Sequence, residues 1–216
     1  MDRRKIVVLH IRGYTDNPEK AIETTQLRMP IVKNFYAQHG IIFRELHVWP
    51  EGVSKISVFS AALIVAHKID GYRKYQPETM VILSGHSLGA IVALLATSIE
   101  PPDGLVLEEP PIGGVYDFVL RLGKFDLKNQ AVISGLRKNS PAITELNEYL
   151  LRFGYKWPPT LEIKGWFGIL GQLLFGSFPN TGFGEVIRIP WMGHSQTWEH
   201  PKAIARIAKF AHSLED

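Results

Sequence analysis

Short β-branched runs alternate with helical segments almost from the first residue, and that alternation leaves few folds open to the chain. Lys5–His10 (KIVVLH) is the first run, and Gly13 breaks it. Asn17-Pro18-Glu19 has the form of a helix start, with an Asn cap, Pro at the first helical position and an acid in the first turn. That helix is expected to reach Gly40, with Pro30 kinking or splitting it. Ile41–His47 is the second run, stopped by Pro50 and Gly52. Val53, Ile56, Phe59, Leu63, Ala66, Ile69 and Tyr72 then recur at three- and four-residue steps and predict one apolar helix face.

Thr79–Ser84 (TMVILS) is continuously apolar up to its last residue, the pattern of a strand covered on both faces. Leu88–Ile99 is apolar nearly all round, which predicts a buried helix, and Pro101-Pro102 ends it. Leu105–Glu108, Thr160–Lys164 and Glu185–Ile189 are the remaining strands. A closing helix from Pro201 carries Ile204, Ile207, Ala208, Ala211 and Leu214 on one face. Strands separated by helices predict the α/β class: a mostly parallel six-stranded sheet with helices on both faces.

Two stretches break the rhythm. Residues 110–158 are too long for a simple crossover and are expected to form a small helical cap inserted into a single domain spanning 1–216. Residues 165–184 set Trp166, Phe167, Ile169, Leu170 and other apolar residues among six glycines, without a clear period.

Composition narrows the function classes. The balance of 24 basic and 21 acidic residues leaves a formal charge of +3, with no nucleic-acid-binding motif, so nucleic acid is not an expected partner. Absence of cysteine excludes disulfides and thiolate metal sites. The apolar run after Met1-Asp2-Arg3-Arg4-Lys5 is too short for a signal peptide, and no stretch reaches the roughly 20 apolar residues of a membrane helix. The cytoplasm is therefore the default compartment. Composition is silent on oligomeric state.

Gly85-His86-Ser87-Leu88-Gly89 carries the chemistry. It fits Gly-x-Ser-x-Gly directly after a strand and directly before a helix, the context of a nucleophile elbow. The turn is sharp, so its flanks must be glycine. The serine hydroxyl stands at a helix N-terminus, where free N–H groups favour developing negative charge. A serine needs a base. His194, in Trp191-Met-Gly-His-Ser195, follows the last predicted strand, and loops at strand C-termini form the crevice of such sheets. The competing reading of His194 is a cap on the closing helix. His86 is expected to pack, and His10 to end the first strand near the site.

Gly-x-Ser-x-Gly after a strand, then a cap, then a late Gly-His before a closing helix: this order resembles the α/β-hydrolase superfamily over nearly the whole chain. The first strand here would correspond to that family's third. The resemblance implies backbone N–H groups of Tyr14 and Leu88 as an oxyanion hole. In Ile11-Arg12-Gly13-Tyr14, Arg12 stands where the family has histidine, and it could orient a substrate or pair with a carboxylate. The family's commonest position for the triad acid is empty, because no Asp or Glu lies between Glu162 and Glu185. Some members, including one haloalkane dehalogenase group, carry the acid one strand earlier. Glu109 takes that place by alignment, and Ser87, Glu109, His194 keep the superfamily order. Strand alternation points Glu108 and Glu109 to opposite sides, so only one can serve. Asp103, Glu162, Glu185 and a Ser-His dyad remain alternatives.

The implied reaction is ester hydrolysis through an acyl-enzyme on Ser87, with a small or moderately apolar ester as substrate. Trp166 and Phe167 are expected in the pocket, and neither cofactor nor metal is implied. Thioesterase or lipase activity, and a non-catalytic ligand-binding protein on a hydrolase scaffold, are the alternatives.

Overall fold

The computed structural model describes residues 4–13, 18–48 (backbone alone for 18–25), 57–111, 144, 157–165, 182, 184–190, 192 and 197–215. The strands are β1 (Lys5–Ile11), β2 (Ile41–Leu46), β3 (Thr79–His86), β4 (Gly104–Glu108), β5 (Thr160–Gly165) and β6 (Glu185–Ile189). The helices are α1 (Pro18–Gln38), α2 (Val58–Tyr75), α3 (Leu88–Ile99) and α4 (Pro201–His212). The proposed cap at 110–158 falls almost wholly outside the described residues, as do Tyr14, Trp166, Phe167 and His194.

All six strands pair in parallel, in the order β2-β1-β3-β4-β5-β6. The chain steps outward from β1 to β2, then returns past β1 to β3. Right-handed crossovers in opposite directions send their helices to opposite faces. Accordingly α1 packs with α4 on one face, while α2 and α3 share the other. The reversal lies between β1 and β3, and the carboxyl ends of those strands frame the ligand crevice of open α/β sheets.

Alternation along the strands feeds both layers. Val7, Leu9, Ile11, Val81, Leu83, Leu105 and Leu107 face α2 and α3. Ile6, Val8, Met80, Ile82 and Val106 face α1 and α4. β3 is buried along its whole length, as its unbroken apolar run predicts.

One helical expectation narrows and one needs correction. α1 runs unbroken through Pro30, so the proline does not split it. Pro30 and Gln26 are both exposed, which leaves the carbonyl freed by the missing N–H free to meet water. The buried face of α2 is Val58, Ala61, Ala62, Val65, Ala66 and Ile69, whereas Phe59 and Leu63 are exposed at 58% and 47%. The helix carries two overlapping apolar stripes. Alanines let the backbone come close to the sheet and α3, so the stripe of small residues is the one that packs.

Glycines set the tightest approach. A Cβ on Gly89 would lie 2.2 Å from the Ile11 carbonyl oxygen and 2.8 Å from that of Arg12. Gly71, in α2, has nothing within 4 Å of such an atom. We expect Gly89→Ala to lower unfolding stability by about 1–3 kcal/mol through forced separation of α3 from β1. Gly71→Ala should raise it by about 0.5–1 kcal/mol through helix propensity. Urea titration of both variants checks the pair, and equal midpoints would contradict the packing described.

Candidate active site at the switch point

Ser87 joins β3 to α3 at the N-cap position with φ 53° and ψ −121°, a conformation non-glycine residues rarely hold. Such strain costs of order 1–3 kcal/mol and persists only where surroundings enforce it. A Cβ on Gly85 would meet the Gly89 carbonyl oxygen at 2.4 Å, so both flanking glycines are sterically required. The Ser87 N–H donates to the Glu108 carbonyl at 2.8 Å. Its hydroxyl makes no capping bond to its own helix, and the residue is half-buried. Leu88 opens α3 fully buried, and its N–H belongs to the first turn, whose donors lack acceptors inside the helix.

The β1 loop meets the same turn. A Cβ on Gly13 would sit 2.9 Å from Ser87 Cβ, which brings the residue before Tyr14 against the serine. Arg12 Nε lies 2.7 Å from Glu45 Oε1, and its guanidinium lies over the Trp198 ring, 4.9 Å from the centroid. Of the two roles anticipated for Arg12, this is pairing with a carboxylate.

The adjacent acids separate sharply. Glu109 leaves the strand with φ 50°. Among the described residues, it and Ser87 are the non-glycine residues with positive φ. Its Oε1 accepts the Gly165 N–H at the carboxyl end of β5, and the side chain is nearly buried. Burial pushes the Glu109 carboxyl up, while the Gly165 hydrogen bond and the Lys164 charge pull it down. A Cβ on Gly165 would lie 2.3 Å from the Met192 carbonyl oxygen and 3.0 Å from Glu109 Oε1. The carboxylate therefore stands beside backbone two residues ahead of His194.

Glu108 instead turns into the α1–α4 layer. Ser84 donates to Glu108 Oε1 at 2.7 Å, and His10 Nδ1 lies 3.0 Å from Ser84 Oγ. With the serine proton committed to the carboxyl, Nδ1 carries the hydrogen shared with Ser84. His10 thus sits inside β1, fully buried beneath the site, rather than at its rim. Asp103 accepts the Val81 N–H at the opposite end of the sheet, and Glu185 opens β6 at that same end. Glu162 is buried within β5, 3.4 Å from Lys164 Nζ. His200, with Nδ1 accepting the Lys202 N–H, caps α4, the role that competed for His194. His86 is nearly buried, its Nδ1 near Gly13, in keeping with packing.

Among the described residues, no group of three His, Asp or Glu side chains could hold a metal ion, and no helix is long and apolar enough to cross a membrane. A cleft of about 820 Å³ runs along β2, lined by Phe43, Glu45, His67 and Tyr72 among others; Ser87 is not part of its wall.

A six-stranded parallel sheet of this order, with the strained serine at its switch point, is an α/β-hydrolase fold. The virulence factor BioJ of Francisella is similar over 99% of this chain and 78% of its own, at TM-score 0.63 and 15% identity. MGS-MChE2, an alpha/beta hydrolase enzyme from the metagenome of lagoon sediments at Mar Chica, Morocco, is similar over 95% of this chain and 89% of its own, at TM-score 0.57 and 20% identity. One of the metagenome-derived lipolytic enzymes LipS and LipT is similar over 98% of this chain and 95% of its own, at TM-score 0.60 and 14% identity. No protein-family profile and no curated protein sequence matches the chain.

The buried pair beneath the site has a proton signature. Burial pulls His10 from 6.5 down to about 3, with the Arg12 charge adding to it. Burial pushes Glu108 from 4.5 up to about 7, against its hydrogen bonds from Ser84 and Thr197. Midway between pH 4.5 and 6.5 the folded pair holds about one proton, on Glu108, and the unfolded pair also holds about one, on His10. The pair therefore adds no slope there. Glu108→Gln leaves only the histidine, whose unfolded state binds more protons, so stability should rise with pH across that window. His10→Gln leaves only the carboxyl, whose folded state binds more, so stability should fall. Each slope approaches about 1.4 kcal/mol per pH unit. Denaturant titrations from pH 4.5 to 6.5 check this, and slopes of the same sign would contradict it.

Proposed function

We propose that the chain is a serine hydrolase cleaving a small or moderately apolar carboxylic ester through an acyl-enzyme on Ser87. One observation carries the reading: among the described residues, backbone strain at non-glycine positions falls on Ser87 and Glu109, at the carboxyl edge of the sheet. Strain of this kind is kept where surrounding structure over-determines it, and it concentrates at active sites. The lipolytic and hydrolase enzymes among the similar folds agree with this class of chemistry.

In the proposed mechanism, Ser87 Oγ attacks the ester carbonyl as His194 removes its proton. Backbone N–H groups of Tyr14 and Leu88 receive the oxyanion, supported by Gly13 packing on Ser87 and by Leu88 opening α3. His194 returns the proton to the leaving alcohol, and water then cleaves the acyl-enzyme by the same steps. Glu109 orients the imidazole and stabilises its charged form. Its support is the carboxylate beside Gly165 and the Met192 carbonyl, next to the segment carrying His194. Trp166 and Phe167 follow Gly165 directly and would line the acyl or alcohol pocket.

The test is turnover of p-nitrophenyl esters of graded chain length. Ser87→Ala should lose about a thousandfold or more in kcat, and Glu109→Gln a comparable amount. Glu108→Gln should lose far less than Glu109→Gln; equal losses would contradict the assignment of the acid. Preference for long chains only at an interface would favour a lipase.

A further inference from the structure

β2 ends the strand order and, among the described residues, pairs with β1 alone. Its outer edge therefore presents backbone N–H and C=O groups that no described strand engages, a template for an added strand. The cleft of about 820 Å³ follows this edge. Consecutive β2 residues from Ile42 to Leu46 line it, so the space straddles the strand rather than lying on one face. Lys33 of α1 flanks it on one side, and Lys68, Gly71 and Tyr75 of α2 on the other.

The walls carry unbalanced positive charge. Lys33, Arg44 and Lys68 are exposed, and among the described residues no carboxylate pairs with any of them. The one carboxylate in the wall, Glu45, is already held by Arg12 at 2.7 Å. Strand alternation puts Arg44 with Leu46 on the α2 face of the sheet, while Lys33 stands on the α1 face. Cations thus flank the open edge from both faces.

Cations at an edge also blunt self-pairing. Protection alone would not keep apolar groups beside them, yet Ile42 and Tyr75 line the same cleft at 37% and 74% exposure. Lys74 lies over the Tyr75 ring at 5.2 Å and adds a further positive charge there. Among the described residues, seven of the eight exposed large hydrophobic side chains fall on α1, β2 and α2, so this end of the sheet is where apolar surface is left open. A second copy of the chain fits the edge poorly, because a two-fold axis would set the same cations against themselves.

We propose that the free edge of β2 binds an acidic, extended peptide, which adds to the sheet as a further strand and sets its carboxylates against Lys33, Arg44 and Lys68. Main-chain hydrogen bonds to β2 supply the affinity, and the flanking cations select the acidic partner. This role does not depend on the chemistry of Ser87.

The test uses the full chain and a fluorescein-labelled peptide of repeated Glu-Glu-Val-Val, read by fluorescence anisotropy and by hydrogen exchange at 41–46. Binding should weaken as salt rises, and the β2 amides should exchange more slowly with peptide bound. The double variant Arg44→Glu, Lys68→Glu should bind at least about tenfold more weakly. The double variant Lys202→Glu, Lys209→Glu, with the same change in net charge on exposed positions of α4, should stay within about twofold of wild type. A peptide of the same charge with proline at alternate positions should lose binding, since proline cannot donate to a ladder. No binding of the acidic peptide, equal weakening in the two double variants, or undiminished binding of the proline peptide overturns the proposal. Tighter binding of a single-stranded oligonucleotide at the same cations, or a dimer in sedimentation that Arg44→Glu abolishes, overturns the peptide as occupant.

Discussion

The turn between β3 and α3 works because three backbones approach more closely than any side chain permits. Gly89 lies under the Ile11 and Arg12 carbonyls, Gly85 under Gly89 itself, and Gly13 against the Ser87 Cβ. These contacts leave Ser87 no relaxed conformation, and the residue takes φ 53°. The position follows from topology. The chain reverses direction between β1 and β3, so the loops after those strands converge without another strand between them. The carboxyl edge of the sheet is thereby arranged around a strained serine before any other residue is considered.

Beneath that edge, polar groups replace the expected apolar filling. His10, Ser84 and Glu108 come from three neighbouring strands and face the α1–α4 layer, where register sets His10 beside Ser84. Burial keeps the histidine and the carboxyl neutral together near pH 6, so the cluster adds hydrogen bonds without isolating a charge. Arg12 and Trp198 close the cluster from above. The polar core and the carboxyl edge are therefore continuous, joined at Glu108.

Much of this was legible in the residues. Strand runs of β-branched residues placed all six strands to within a residue or two, because a strand covered on both faces leaves an unbroken apolar run. The Gly-x-Ser-x-Gly spacing pointed to close backbone approach, and the glycine contacts bear that out. Glu108 and Glu109 do part, but strand alternation, the expected cause, does not reach Glu109, which follows the end of β4 at positive φ. What stayed hidden depends on long-range packing. Two apolar stripes on α2 are equivalent in sequence, and only contact with α3 selects the alanine-rich one. Nothing local distinguishes a strand-end histidine from one buried over Trp198, and Arg12 gives no sign that its partner is Glu45, 33 positions later. The hydrogen bond from the Gly165 N–H to Glu109, reaching across from the end of β4 to β5, is likewise a crossing that sequence spacing does not encode.

The central claim is that Ser87 is an activated nucleophile. The most direct measurement is intact and peptide mass spectrometry after brief exposure of the folded protein to a fluorophosphonate, beside Ser87→Ala and heat-denatured controls. The account predicts a single adduct on the peptide holding Ser87, absent from both controls. Folded protein that stays unlabelled, or that labels equally in the Ser87→Ala variant, would contradict it.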